Sequence, residues 1–349
     1  MTLLSNNTSG LESIDNTIIS AQFADVVGMI RIAKQRAYAA VNSELIDLYW
    51  HIGEYISHKV EIATWGKSVV EQLSIYIQTQ EPGVGGFSKQ NLWRMKQFFE
   101  TYKDADEILS PLVREITWTN NTIIMSRCKT SEEREFYLRM SQRERYSKRQ
   151  LERQIDSALF ERYATNQIKL SPAVREIAPK AESIFRDHYV MEFVGEKAGK
   201  PENTLRKALV NKMRDFILEL GKDFIHMGDE YRLQVGNSDF RIDLLFYHRE
   251  LQCLVAFELK TEKFKPEHLG QLNFYLEALD RDVKKPHENP SIGVLLCKSK
   301  DDEVVEYALS RTLSPTMVAE YELKLPDKAL LQHKMQEIAE MMEEEEIEE

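Results

Sequence analysis

The sequence predicts a mostly α-helical N-terminal domain followed by an α/β C-terminal domain, a mixed sheet flanked by helices. Three observations carry this. Apolar residues recur every three or four positions through the first half, the period of an amphipathic helix. From Leu205 onward the pattern changes to helix, three strands, helix, strand, helix, the order of a sheet covered by helices. All four tryptophans, Trp50, Trp65, Trp93 and Trp118, fall in the first half, a composition shift that supports a boundary. A chain of 349 residues fits about two domains of ~150 residues.

The elements follow in order. Residues 1–15 are polar and read as a flexible N-terminus. Residues 16–165 form the helical domain. Ile30, Ala33, Ala37, Val41, Leu45, Leu48 and Ile52 make one stripe of a long helix from Asp25 to His58. Lys67–Gln80 repeats the pattern, and EPGVGG breaks it. Ser88 is an N-cap for a helix running to about Tyr102. Thr130 with Glu133, and Ser147 with Gln150, form capping boxes. Residues 166–203, broken by Pro172 and Pro179, read as a connecting segment. Residues 204–325 form the α/β domain. Its first helix ends near Gly221. Tyr231–Val235, Phe240–His248 and Cys253–Thr261 read as strands in two hairpins. A helix over Pro266–Asp282, a strand over Ser291–Ser299, a helix over Asp302–Leu309 and a strand over Val318–Leu323 complete it. Residues 326–349 read as an acidic, helical or disordered tail.

The formal net charge of -11 seems to argue against a nucleic-acid partner, until the charge is located. Residues 327–349 hold nine acidic residues and two lysines, -7 of that total, leaving -4 for the rest. Between Arg139 and Arg153 six basic residues face Glu144 and Glu152, a local +4. No apolar run approaches the ~20 residues of a membrane span, and the N-terminus does not read as a signal peptide. Cys128, Cys253 and Cys297 are scattered, which fits a reducing cytoplasm rather than a disulfide scaffold. GVGG lacks the Lys-Ser/Thr of a phosphate-cradling loop, so no nucleotide cofactor is indicated.

Two carboxylates stand out by context. Asp243 lies inside FRIDLLFYH, and Glu258 and Lys260 lie inside CLVAFELKT. Charged residues are disfavoured in strands this apolar. Alternation puts Glu258 and Lys260 on one face and Leu259 on the other. If the strands pair through RELQ, Asp243 lies beside Glu258, and two such carboxylates call for a cation between them. Oxygen ligands favour Mg²⁺ or Mn²⁺, and a neighbouring lysine can orient or deprotonate a water. An ExK triplet alone is weak; the Asp…ExK set on consecutive strands is much stronger. On the next helix Gln271 and Tyr275 share a face four residues apart. Glu219, at the end of the helix before the strands, is either a further acidic ligand or an exposed helix residue.

These residues, Glu219, Asp243, Glu258-Leu259-Lys260 and Gln271-xxx-Tyr275, resemble the PD-(D/E)XK nuclease superfamily, and the Gln-xxx-Tyr addition resembles its RecB-like branch. The wider run from Phe240 to Leu309 resembles the YhcG-type bacterial nucleases. The resemblance implies a restriction-endonuclease-like fold and a Mg²⁺-dependent nuclease acting on DNA. Asp243, Glu258 and the Leu259 carbonyl would bind metal, and Lys260 would place the attacking water. In place of the motif's proline this chain has Ile242. It also implies a winged-helix or helix-turn-helix-like N-terminal domain, where WGKSVVEQLS…GFSKQNLWRMKQF resembles the family signature.

The helix pair Lys67–Gln80 and Ser88–Tyr102 fits helix-turn-helix order, with a longer turn than usual. Lys89, Arg94, Lys96, Arg145, Lys148, Arg149 and Arg153 are the candidate phosphate contacts; Trp93 and Phe98 read as core. A dimer is expected for cutting both strands of a duplex. The rival readings are a non-catalytic DNA-binding protein on a nuclease scaffold and an RNA nuclease. The pathway stays open between defence against foreign DNA and DNA repair or recombination.

Overall fold

The structure, a computed structural model, describes residues 40–62, 67–104, 109–166, 168–195 and 201–337, with positions 29 and 37. Outside them lie the N-terminus 1–15, most of the first helix before residue 40, Trp65, part of the GEKAGKPEN turn and the acidic run after residue 337. The chain divides into two compact units, Met1–Lys148 and Arg149–Glu349. Among the described residues no helix is long and apolar enough to cross a membrane.

In the first unit the described elements are all helices: α1 (40–61), α2 (Lys67–Gln80), α3 (Lys89–Tyr102), α4 (Leu109–Glu115), α5 (Trp118–Arg127) and α6 (Ser131–Glu144). Tyr49 and Ile56 of α1, Val70 of α2 and Leu92 and Met95 of α3 share one core. Trp93 packs beside that core and Phe98 is fully buried, so neither is a free stacking surface. The turn between α2 and α3 uses Gly83 and Gly86 at φ 94° and 95°, a backbone that side chains resist. Ser88 Oγ accepts from Asn91 N at 3.3 Å and caps α3. Thr130 Oγ1 accepts from Glu133 N, and the Glu133 carboxylate accepts from Lys129 N at 2.9 Å, one residue before the N-cap. No strand pair accompanies these helices among the described residues, so the wing of the expected winged helix is not found there.

The second unit begins with α7 (Lys148–Asp156) from its second residue and α8 (Leu159–Ala164), then α9 (Pro172–Ile177), α10 (Ala181–Ile184) and the short strand β1 (His188–Val190). The stretch read as a connecting segment is therefore structured. Val174, Phe185 and Tyr189 sit in the core of the α/β unit. A single helix before Gly221 proves to be two, α11 (Glu202–Asn211) and α12 (Met213–Leu220), because Lys212 leaves helical geometry at φ -115°, ψ 26°. Then come β2 (Phe224–Val235), β3 (Ser238–His248), β4 (Cys253–Lys263), α13 (His268–Ala278) running into a π-turn over Leu279–Val283, β5 (Asn289–Ser299), α14 (Asp302–Leu309) and β6 (Thr316–Glu322). A last helix, α15, is described over 328–337.

The six strands form one mixed sheet in the order β1-β6-β5-β4-β3-β2. The β2–β3 and β3–β4 pairs are antiparallel hairpins; β4–β5, β5–β6 and β1–β6 are parallel. Side-chain alternation divides the core in two. Leu244, Phe246, Val255, Phe257 and Leu259 face α11 and α12 through Leu209 and Phe216. Leu245, Leu254, Ala256 and Leu295 face α13 and α14 through Leu272, Leu276 and Val305. With both faces covered, Glu258 in the middle of β4 is buried, while Glu262 and Lys263 at the strand's end are exposed.

Candidate active site

Asp243 and Glu258 meet where the β3–β4 ladder ends. The last paired residues are Leu244 and Phe257, which makes Asp243 and Glu258 the next pair in antiparallel register. The ladder does not continue to them. Instead the Leu259 main-chain N–H donates to Asp243 Oδ2 at 2.9 Å. Leu259 itself points into the opposite core layer, so Glu258 and Lys260 share the α13 face of β4.

Glu258 is 3% exposed. Its Oε1 accepts from Lys260 Nζ at 3.1 Å, while its buried Oε2 has no hydrogen-bond partner. Burial, and then the neighbouring Asp243, push Glu258 up to about 7 against the pull of Lys260. Burial likewise pushes Asp243 up, against the Leu259 N–H, Lys260 and Arg206. Burial disfavours the Lys260 ammonium, but Glu258, Glu202 and Asp243 together outweigh it, and the group titrates above the usual lysine range. On α13, Gln271 Nε2 donates to the Tyr275 hydroxyl at 2.6 Å. Burial raises the Tyr275 hydroxyl, and Glu258 and Asp243 add to it while Gln271 opposes. Tyr275 is thus within electrostatic reach of both carboxylates, and Gln271 is bonded to it.

Four further side chains belong to this neighbourhood. Glu202 Oε2 lies 3.6 Å from Lys260 Nζ. One helical turn later Arg206 Nη1 lies 3.5 Å from Asp243 Oδ1. Arg206 Nη2 reaches Glu230 Oε1 at 3.1 Å and donates to Asn203 Oδ1 at 2.9 Å. Nothing in the sequence singles these out, because opposite charges four apart on a helix read as an ordinary surface pair.

Glu219 is corrected on both of its sequence readings. It is not exposed, and its bonding partners are three arginines and a main-chain N–H rather than residues of the carboxylate pair. Its side chain is wholly buried among Arg162 (2.7 Å), Arg153 (3.0 Å) and Arg186 (3.3 Å), and its Oε1 accepts from Val190 N at 2.9 Å. Burial alone would raise its carboxyl; the three arginines and the Val190 N–H hold it down at about 2. Both of its oxygens are engaged, Oε1 by Arg162 and the Val190 N–H and Oε2 by Arg153. The helix acid that reaches the site is Glu202 instead.

The candidate phosphate contacts separate. Arg153 is committed to Glu219, Glu192 and the Val190 carbonyl, so it offers no guanidinium to a ligand. Lys89 pairs with Glu71 at 2.6 Å. Lys96 pairs with Glu100, its side chain 16% exposed. Arg94, Arg145 and Arg149 are exposed, with no ion pair among the described residues. Lys148 is exposed too. Arg145 sits at φ 53° as the C-cap of α6.

The site's donor set fits a hard divalent cation. Two carboxylates converge, and one carries a buried, unpartnered oxygen. Among the described residues no group of three or more His, Cys, Asp or Glu side chains converges at metal distance, so water and main-chain oxygen would complete the shell. Mg²⁺ suits such a shell, because it keeps several waters.

Comparison with known proteins decides the family. Residues 182–336 match the YhcG PDDEXK nuclease domain, and residues 25–162 match the DUF1016 N-terminal domain. An Escherichia coli (strain K12) protein described as "Putative nuclease YhcG" is 30% identical over 366 residues, covering 94% of each chain. This chain belongs to the YhcG family of PDDEXK nucleases. Nucleases of this type generally use divalent metals. Two solved structures show a partial likeness. A repair endonuclease from Pyrococcus abyssi is 16% identical over 35% of this chain and 47% of that chain, with a TM-score of 0.26. The EndoMS-dsDNA2 complex is 18% identical over 34% of this chain and 45% of that chain, with a TM-score of 0.23. The likeness spans about half the length of either structure.

Proposed function

We propose that this YhcG-family protein is a Mg²⁺-dependent DNA endonuclease, with Mn²⁺ as a substitute, working in the cytoplasm in defence against foreign DNA or in DNA repair or recombination. One observation carries the reading: the Asp243–Glu258 pair, in which a buried carboxylate oxygen lacks any partner while Lys260 holds the other. Asp243, Glu258 and the Leu259 carbonyl are the residues that would hold the cation. A bound divalent cation polarises the phosphate and makes water a better nucleophile. Lys260, kept protonated by Glu258, acts as a donor that orients the water; a raised lysine is a poor base. Gln271 and Tyr275 line the α13 side and hydrogen-bond the phosphate or its water. Hydrolysis joins the water oxygen to phosphorus and breaks the phosphorus–oxygen ester bond.

In the same proposal the N-terminal unit positions the nucleic acid, with Arg94, Arg145 and Lys148 touching phosphates and Lys89 and Lys96 available once their carboxylate pairs are exchanged, and Arg149, the first residue of the second unit, is a further phosphate contact. A dimer would bring one site to each strand of a duplex. The test is cleavage of linear, circular, branched and single-stranded DNA, and of matched RNA, with Mg²⁺ or EDTA. The expected result is Mg²⁺-dependent cutting of DNA that Asp243→Ala abolishes. Equal cutting by both proteins sinks the assignment, and preferential cutting of RNA replaces the substrate.

A further inference from the structure

The geometry points to Arg206 as a cation shared between Asp243 and the substrate: it holds Asp243 in the metal-free protein and passes to a phosphate oxygen when a divalent cation takes Asp243. This inference rests on the metal-dependent nuclease reading of the site.

The two oxygens of Asp243 are held unequally. Oδ2 accepts a well-formed bond from the Leu259 N–H at 2.9 Å. Oδ1 faces Arg206 Nη1 at 3.5 Å, a distance beyond ordinary hydrogen-bond length. The rest of Arg206 is anchored independently. Nη2 donates to Asn203 Oδ1 at 2.9 Å and lies 3.1 Å from Glu230 Oε1, and the side chain is only 10% exposed. Glu230 is itself held in the left-handed region at φ 44°, an uncommon conformation for a residue other than glycine. It also faces Arg241 at 3.4 Å. One end of the guanidinium is thus fixed while the other rests loosely on a metal-ligating carboxylate.

Like charges this close repel strongly in a buried site. A divalent cation drawn to Asp243 and Glu258 therefore competes with Arg206 for Oδ1. The Asn203 and Glu230 anchor keeps the displaced guanidinium beside the site, with Nη1 free to donate. A phosphodiester oxygen bound at the cation is the anion of matching charge and geometry, since guanidinium and phosphate pair well. Lys260 does not serve in this role, because Glu258 at 3.1 Å and Glu202 at 3.6 Å both hold it. Arg206 then links two binding events: the metal frees it, and the phosphate captures it. Such linkage is reciprocal.

The test titrates Mg²⁺ into the full chain by calorimetry at pH 8 without nucleic acid. Arg206→Gln should bind Mg²⁺ more tightly, on the order of tenfold, because a competing cation is gone. Glu230→Gln should bind it more weakly, because Arg206, left with the Asn203 anchor alone, then leans more on Asp243; this second variant tests the role if the first fails to fold. A duplex oligonucleotide is then bound in a Lys260→Ala background, where strands stay intact. Mg²⁺ should strengthen binding there, and adding Arg206→Gln should remove the enhancement. If wild type binds Mg²⁺ but both variants match it within about twofold, or Arg206→Gln binds it more weakly, the shared-cation role is overturned and the nuclease reading stands. If wild type binds neither Mg²⁺ nor Mn²⁺, both fall.

Discussion

The Leu259 N–H donates to the Asp243 carboxylate at 2.9 Å, at the point where β3 and β4 stop pairing. A side chain takes the place of a ladder carbonyl, which fixes Asp243 against the residue between Glu258 and Lys260. Asp243→Asn keeps an oxygen for that bond but loses the charge. It should fold as wild type by circular dichroism yet lose Mg²⁺ binding, with cleavage falling by at least ~100-fold, the cost of several kcal/mol of charge stabilisation. A variant that cuts at the wild-type rate would remove Asp243 from the site.

Glu258 stores the opposite kind of signal. Its folded-state carboxyl is raised to about 7 by burial and by Asp243, so the folded protein holds this proton longer than the unfolded chain does. The group therefore lowers stability progressively as pH rises from its ordinary range through about 7. Glu258→Gln removes that decline. Urea unfolding in EDTA at pH 8 should show the variant more stable than wild type by roughly 1–3 kcal/mol, with little difference near pH 4. A variant less stable at pH 8 contradicts the assignment of an uncompensated carboxylate.

Glu219 runs the other way. Held at about 2 by Arg162, Arg186 and Arg153 against the effect of burial, it contributes full stability above its ordinary carboxylate range and loses it as pH falls toward 2. Glu219→Gln leaves the buried Arg162 and Arg186 guanidinium groups short of their counter-ion, a loss of about 3–5 kcal/mol at neutral pH. Acid titration of unfolding should show the gap between wild type and variant closing as pH drops. A gap that stays constant would assign the cost to packing rather than charge.

Gly53 lets α1 lie directly against the backbone of α3. A Cβ there would lie 2.1 Å from the Met95 carbonyl oxygen, which belongs to rigid helix backbone. Gly53→Ala should destabilise the first unit by about 1–3 kcal/mol through overpacking, read as a lower thermal midpoint. An unchanged midpoint would show that α1 can shift without loss.

Legibility followed the range of the signal. The β3–β4 hairpin was readable because alternation and the RELQ turn are local, and Asp243, Glu258 and Lys260 were visible as charges inside apolar strands. Their shared face follows from the two-residue period alone. Glu219 was not readable, because its surroundings come from Arg153, Arg162 and Arg186, which lie in separate segments. Position at a helix end says nothing about which cations converge there. Glu202 and Arg206 were hidden for a different reason: a helix spacing that usually marks solvent-facing pairs here turns both charges onto β3 and β4. The strand His188–Val190 is too short to show a period, and only its pairing with β6 makes it a strand.

That pairing has a bearing on how the protein is made. Tyr189 lines up with Tyr321, so the first strand of the sheet finds its partner only in the last. During synthesis the hairpins bearing Asp243 and Glu258 emerge well before β6, and contacts between distant segments form late. The sheet cannot close until Glu322 has left the ribosome. The sheet therefore stays incomplete while the chain from His188 to Glu322 is being made, the interval in which its apolar strands are least covered.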